Sequence, residues 1–96
     1  MTVYAVALID IEDREGYGNY EQGFMDIFSK YQGTLLAVDE DPGVLEGEWP
    51  WTRTVLLSFP DEAKLRAWYD SAEYQSLAQH RFDASDASIA VIKGLG

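Results

Sequence analysis

Residues 3–11, VYAVALIDI, constrain the fold more than any other stretch of the chain. Eight of these nine residues are apolar, and neither glycine nor proline interrupts them. The β-branched and aromatic side chains predict a β-strand. Because successive side chains in a strand point to opposite faces, both faces of this strand are apolar and both need cover. The chain must therefore bury the two sides of one sheet.

With this strand as the first element, the predicted order of elements along the chain is β-α-β-β-α-β. Asp13 is a suitable N-cap for a first helix that ends before Gly33. A break near Ser71 divides the second helical region into two segments. The further strands are predicted at 34–38, 53–59 and 88–95, with an additional extended piece at 44–46 and a turn at 39–43 in which Gly43 is free to take a positive φ. This order predicts one α+β domain over residues 1–96, a ferredoxin-like sandwich with a four-stranded antiparallel sheet.

The second sheet face predicts a homodimer. In the strand 53–59, Val55, Leu57 and Phe59 point to one side, and Leu56 points to the other. The helices of a ferredoxin-like unit cover only one face, so the other would expose a larger apolar patch than soluble monomers usually carry. A second copy of the chain, related by two-fold symmetry, is the simplest cover for this face.

Charge and composition exclude several classes of partner. Seventeen acidic and seven basic residues give a net charge of -10, which repels nucleic acid and anionic lipid. No apolar run reaches the roughly 20 residues of a membrane-spanning helix, and the start MTVYAVALIDIED lacks the basic region of a signal peptide. We therefore expect a cytoplasmic protein. Because the chain has no cysteine and one histidine, we expect neither a metal site nor a tightly bound cofactor.

Three charged residues form the core of the predicted site. Asp10 lies near the end of an otherwise apolar strand, where a half-buried carboxylate can act as a general base. Arg53 and Arg81 are candidates for binding an anionic group, since Arg81 continues the inward helical stripe of Tyr74. The alternatives are that Asp10 forms a structural ion pair with Arg53 or Arg81, or that it lies at an exposed strand end.

Aromatic residues and the single histidine complete the set of candidate ligand-binding residues. Trp49 and Tyr69 would form apolar walls, although a tryptophan of the WPW segment can instead cap the dimer edge. His80 is a further candidate, but a histidine at a helix C-terminus is also favoured by the helix dipole alone. A tyrosine hydroxyl on the inward helical stripes can assist proton transfer, and most of these tyrosines are also expected to be core residues.

Three segments of the chain resemble a known family. They are KYQGTLLA, VLEGEWPWTRTVLLSFP and EAKLRAWYDSAEYQSL, and they are similar to the family called domain of unknown function 1330, within the dimeric α+β barrel superfamily. The resemblance implies a homodimer in which two four-stranded sheets face each other. Related barrels include monooxygenases without cofactors, isomerases, decolorising peroxidases and heme-degrading enzymes.

Two functions are compatible with the sequence. The first is a homodimeric, cofactor-independent enzyme, isomerase-like or monooxygenase-like, that acts on a small organic anion. In this enzyme Asp10 would accept the proton, while Arg53 and Arg81 would anchor the anion. The second is a non-catalytic small-molecule-binding or dimeric assembly module. A cavity filled by the protein's own aromatic side chains would favour the module, and a cavity of about 300 Å³ or more with convergent polar groups would favour the enzyme.

Overall fold

The structure is a computed structural model that describes residues 1–96. The chain forms four strands and three helices in the predicted order. The strands are β1 (Val3–Ile11), β2 (Thr34–Asp39), β3 (Arg53–Phe59) and β4 (Ser85–Lys93), and the helices are α1 (Arg14–Phe28), α2 (Glu62–Tyr69) and α3 (Ala72–Ala84), with a 3₁₀ turn at Ser29–Tyr31. No helix is both long enough and apolar enough to cross a membrane.

The four strands form one antiparallel sheet in the order β2-β3-β1-β4. β1 therefore lies in the interior of the sheet, paired with β3 on one side and β4 on the other, as its continuous apolar sequence requires. β2 pairs with β3 and carries a bulge between Leu35 and Ala37. This topology confirms the predicted ferredoxin-like fold.

Side-chain caps set the starts of all three helices. Asp13, Asp61 and Ser71 each accept a hydrogen bond from the backbone N–H three residues further on. The Ser71 hydroxyl also donates to the Trp68 carbonyl at 2.8 Å, so one residue ends α2 and begins α3. The predicted break at Ser71 is confirmed, and it turns Trp68 and Tyr74 towards each other with 4.3 Å between ring centroids.

The core lies between the helices and one face of the sheet. β1 contributes Val3, Ala5, Ala7 and Ile9 to it, and the helices contribute mainly large rings. These rings contact one another in tilted, edge-to-face and stacked pairs, and they include Tyr17, Tyr20, Phe24, Phe28, Trp68 and Tyr74. Small residues on the strands and large rings on the helices therefore form one layer of packing.

Three local predictions differ from the structure. β4 occupies 85–93 and not 88–95, because Ser85 becomes extended directly after the last turn of α3. Residues 44–46 form no strand, and the positive φ in this loop belongs to Gly47 and not to Gly43. At the end of the first helical region it is Gln32 that adopts the left-handed conformation, with φ 62°. Gly33 is needed for space, because a Cβ there would collide with the Phe28 ring.

The other face of the sheet carries no helix and is largely apolar. We call it the outer face, and the strand registers place its central residues side by side: Tyr4, Val6, Leu8, Leu56, Ala90 and Ile92. Each of these side chains is at least partly exposed in the single chain. The outer face is thus the uncovered apolar surface that the first strand predicted.

Candidate functional site

A cavity of about 160 Å³ lies between the helices and the sheet. Its floor is formed by the helix-facing residues of β1 and β3, which are mostly small or aliphatic. Rings from all three helices form its walls. The charged residues in the lining are Arg53, Arg81 and Glu21. The aromatic side chains therefore do not fill the interior completely, and two guanidinium groups border the space that is left.

Arg81 is the most unusual of these residues. It lies in the last turn of α3 and is only 4% exposed, yet it forms no ion pair with any carboxylate. Its Nε and Nη2 atoms are buried without a hydrogen-bond partner within the protein. Its guanidinium carbon lies 5.7 Å from the Tyr20 ring centroid and 4.9 Å from that of Phe82. Aromatic faces stabilise the cation in part, but they leave its N–H groups unpaired.

Two tyrosines next to Arg81 share one hydrogen bond. The hydroxyl oxygens of Tyr20 and Tyr74 are 2.7 Å apart, and both residues are buried. Burial, together with the neighbouring Tyr74, raises the pKa of Tyr20 well above its ordinary value. Tyr20 therefore keeps its proton at neutral pH and offers a hydroxyl, not a phenolate, to the cavity.

Arg53 belongs to a charge network at the edge of the cavity. Its guanidinium lies 3.1 Å from a Glu40 oxygen and 3.5 Å from a Glu21 oxygen, and Glu40 also accepts from Arg14 at 2.7 Å. The Arg14 hydrogen bond, with the Arg53 bond beside it, lowers the pKa of Glu40. Arg53 also lies 5.5 Å from the Tyr17 ring centroid. Its charge is thus already compensated, in contrast to that of Arg81.

Four buried side-chain nitrogens lack a hydrogen-bond partner within the protein. They are Nε of Arg53, Nε1 of Trp68, and Nε and Nη2 of Arg81. All three residues line the cavity. Each of the four atoms is an N–H donor, and none is an acceptor. Buried donors normally find partners, so the cavity wall requires acceptor atoms that the chain itself does not supply.

Arg81 also borders a second, more open space. A groove of about 370 Å³ runs along β4 and the end of α3, and Tyr69, Phe82 and Ser85 line it together with Arg81. Arg81 is therefore the wall between the interior cavity and this groove. The groove is only partly enclosed by the protein, so the smaller interior cavity is the better defined of the two spaces.

Comparison with known proteins decides the family. The sequence model described as Domain of unknown function (DUF1330) matches residues 2–95. The chain belongs to the DUF1330 family. This confirms the resemblance inferred from the sequence motifs. No curated protein matches the sequence significantly.

Solved structures show that the DUF1330 chain shares its fold with proteins of very different sequence. RPA0582, a protein of unknown function from Rhodopseudomonas palustris, is 17% identical with a TM-score of 0.81, over 99% of this chain and 83% of that one. A dimeric ferredoxin-like protein of unknown function from Jannaschia sp. CCS1 is 12% identical with a TM-score of 0.70, over 98% and 100%. SnoaB, a cofactor-independent oxygenase from Streptomyces nogalater, is 10% identical with a TM-score of 0.64, over 99% and 94%.

The structure brings together only part of the predicted site of this DUF1330 chain. Arg53 and Arg81 both line the cavity, and Tyr69 lines the adjoining groove. His80 is exposed on α3 and lines neither space. Trp49 donates from Nε1 to the Thr54 hydroxyl at 3.2 Å. Since Thr54 lies on the outer face, Trp49 is also on that side of the sheet.

Asp10 is separated from the cavity by the sheet. Ile9 points into the cavity, so the next side chain along β1 points to the outer face. There Asp10 lies opposite Asp86 of β4, and Asp86 raises the pKa of the nearby Glu12. The expected pairing of Asp10 with Arg81 in one pocket is therefore not present. Asp10 belongs to an acidic edge of the outer face.

The cavity also contains residues that sequence reasoning did not assign to the site. Glu21 is the only carboxylate in its lining, and Trp68 contributes an unpartnered N–H. The spacing of Tyr17 and Glu21, four residues apart in α1, places them on the same helical face and was a usable signal. The unpartnered state of Trp68 depends on tertiary packing, and no local pattern reveals it.

Proposed function

We propose that this protein binds a compact organic anion in the cavity and acts on it without a bound cofactor. The observation that carries the proposal is that every buried side-chain polar atom without a partner is an N–H donor on a residue that lines the cavity. A carboxylate or enolate would supply acceptor oxygens to these donors and a counter-charge to Arg81. Arg81 is the anion anchor, and Arg53 contributes less because Glu21 and Glu40 already neutralise it.

The chemistry that this lining supports best is proton transfer in an isomerase-type reaction. A guanidinium in a mostly apolar cavity stabilises negative charge that develops on a substrate oxygen. The Tyr20 and Tyr74 hydroxyls, which share a hydrogen bond, line the same cavity, and Glu21 is the carboxylate available to accept a proton. The cofactor-independent oxygenase SnoaB has the same fold, which supports catalysis without a cofactor by analogy only.

Calorimetric titration with a panel of small anions tests the binding step. We expect at least one carboxylate to bind the wild-type protein, and Arg81→Met to abolish that binding. Arg66→Met is the matched control, because Arg66 is exposed and pairs with Glu62 on α2. If no small anion binds, or if Arg81→Met binds as tightly as the wild type, the proposal is wrong.

A non-catalytic binding module is the second candidate. The small volume of the cavity favours it, since a typical ligand pocket measures about 300 Å³ or more. Proton NMR in D₂O separates the two candidates once a bound carboxylate with an acidic C–H has been found. Protein-dependent exchange of that C–H, lost in Tyr20→Phe or Glu21→Gln, supports the enzyme. Binding without any exchange or product supports the module.

The functional unit that we propose is a homodimer formed through the outer face. The apolar residues at the centre of this face support it, as does the fold shared with the dimeric Jannaschia protein. In this arrangement the cavities stay on the helical side of each sheet. Each subunit therefore has a complete cavity of its own.

A further inference from the structure

We propose that the anion is a planar carboxylate with a single aromatic ring, of the benzoate type. This inference rests on the anion-binding part of the proposed function; a benzoate-type probe has no acidic C–H, so it tests recognition and not the proton transfer. Three separate properties of the cavity indicate the chemical class of the anion: the cavity volume, the aromatic walls and the geometry of the free edge of Arg81.

The volume fits one six-membered ring. The cavity measures about 160 Å³. An apolar protein cavity of about 150 Å³ is known to take up benzene. The space is partly open to solvent, so a fused two-ring system would extend out of it, and a two-carbon or three-carbon acid would leave much of it empty. The cavity size therefore favours one ring.

The walls favour a flat, aromatic ligand. Tyr17, Tyr20, Phe24, Trp68 and Tyr74 all contribute rings to the lining. Aromatic rings attract one another in offset-stacked and edge-to-face arrangements, beyond the area they bury. A saturated ring of similar size is thicker and lacks these interactions. An aromatic ring is therefore expected to bind better than its saturated counterpart.

The free edge of Arg81 favours a carboxylate. The two unpartnered nitrogens are Nε and Nη2, and not the two terminal nitrogens. In a planar guanidinium the N–H of Nε and one N–H of Nη2 lie on the same edge and point in parallel. That edge binds both oxygens of a carboxylate in a two-pronged arrangement. The guanidinium carbon lies over the rings of Tyr20 and Phe82, and no acceptor of the chain occupies this edge.

Four matched ligands and one lysine variant test the inference by calorimetry. Benzoate is the probe, benzamide removes its charge, cyclohexanecarboxylate removes its planarity, and 2-naphthoate adds a ring. We expect each of these three to bind at least about tenfold more weakly than benzoate. Arg81→Lys keeps the charge but lacks the paired N–H edge, and we expect about tenfold weaker benzoate binding.

The outcomes separate this inference from the broader proposal. If cyclohexanecarboxylate or 2-naphthoate binds at least as tightly as benzoate, the aromatic single-ring class is wrong, while anion binding stands. If Arg81→Lys binds benzoate as tightly as the wild type, the paired N–H edge is not the recognition element. If no anion binds the wild-type protein, the proposed function fails together with this inference. Circular dichroism of each variant checks that the fold is retained.

Discussion

Arg81 shows how a single residue can oppose the stability of its own fold. A buried guanidinium without a carboxylate partner is unfavourable, and two of its nitrogens have no acceptor. The end of α3 that carries it is nevertheless anchored, because the Ala84 carbonyl accepts from the backbone N–H groups of Glu12 and Asp13. A residue that weakens the fold and lines a cavity is typical of a functional site.

Replacing Arg81 with methionine is expected to stabilise the protein. Methionine fills a similar volume and removes the buried charge, so we expect the free energy of unfolding to rise by about 1 to 3 kcal/mol. Urea denaturation at one fixed protein concentration measures this change. Arg66→Met, on the exposed face of α2, should change stability by less than about 0.5 kcal/mol. A destabilised Arg81→Met variant would show that the unligated protein already satisfies the guanidinium.

The buried Tyr20 hydroxyl should make the folded protein less stable in alkali. Burial raises the pKa of Tyr20 in the folded state, whereas an unfolded tyrosine releases its proton near pH 10. Below about pH 10 both states hold the proton, and above it only the unfolded chain releases it. Stability should therefore fall as pH rises above about 10, by up to about 1.4 kcal/mol per pH unit for this one proton.

Urea denaturation between pH 9 and pH 11 checks this pH dependence. The free energy of unfolding of Tyr20→Phe should fall less steeply with pH, because this variant lacks the Tyr20 proton that the folded wild type retains. Burial also raises the pKa of Tyr17, so some pH dependence should persist in the single variant. Equal slopes for Tyr20→Phe and the wild type would contradict the assignment.

At the scale of the elements, short polar segments decide where the helices stand. Ser71 accepts from the Tyr74 N–H at 3.1 Å and donates to the Trp68 carbonyl, which fixes the bend between α2 and α3. The bend brings the rings of Trp68 and Tyr74 into the cavity wall together. A capping serine is readable from sequence because its function is local.

Two glycine-to-alanine substitutions should have opposite effects. A Cβ at Gly33, between the first helical region and β2, would collide with the Phe28 ring and lie 2.8 Å from Cε1 of Phe59. Gly33→Ala should therefore lower stability by about 1 to 3 kcal/mol. A Cβ at Gly18 in α1 would meet nothing within 4 Å, so Gly18→Ala should raise stability by up to about 1 kcal/mol.

Thermal and urea denaturation of the two variants test this pair. Each variant is the control for the other, since the chemical change is the same and only the surroundings differ. If both variants were more stable than the wild type, the clash at Gly33 would be wrong. If both were less stable, the gain from helix propensity at Gly18 would be wrong.

The sequence was informative wherever the deciding interaction was local. The limits of β3, the cap at Asp13, the break at Ser71 and the two apolar faces of β1 follow from neighbouring residues. The site was harder to predict because it depends on which face each strand turns to the helices. Asp10 and Ile9 are adjacent in sequence, yet the pleat places only Ile9 in the cavity. Arg81 was identified because its helical stripe already fixed its direction.

At the scale of the whole molecule, the sheet divides two tasks between its faces. The helical face carries the cavity with Arg81 and the tyrosines, and the outer face carries apolar residues with an acidic edge at Asp10 and Asp86. A substitution on one face should therefore leave the property of the other intact. Dimerisation and anion binding are then separable by mutation.

A glutamate at Leu56 is expected to break the dimer and to leave the cavity intact. Leu56 lies opposite Val6 on the outer face, so the charge would be buried between two sheets in the dimer.

Native mass spectrometry should give twice 10.8 kDa for the wild type and 10.8 kDa for Leu56→Glu at micromolar concentration. Ala67→Glu is the control, because Ala67 is an exposed apolar residue of α2, on the helical side of the sheet, and lines neither space. A wild-type monomer would contradict the proposed dimer, and a dimer that survives Leu56→Glu but not Ala67→Glu would place the interface elsewhere. If Leu56→Glu is monomeric and still binds the same carboxylate, the two faces act independently, as the position of the cavity requires.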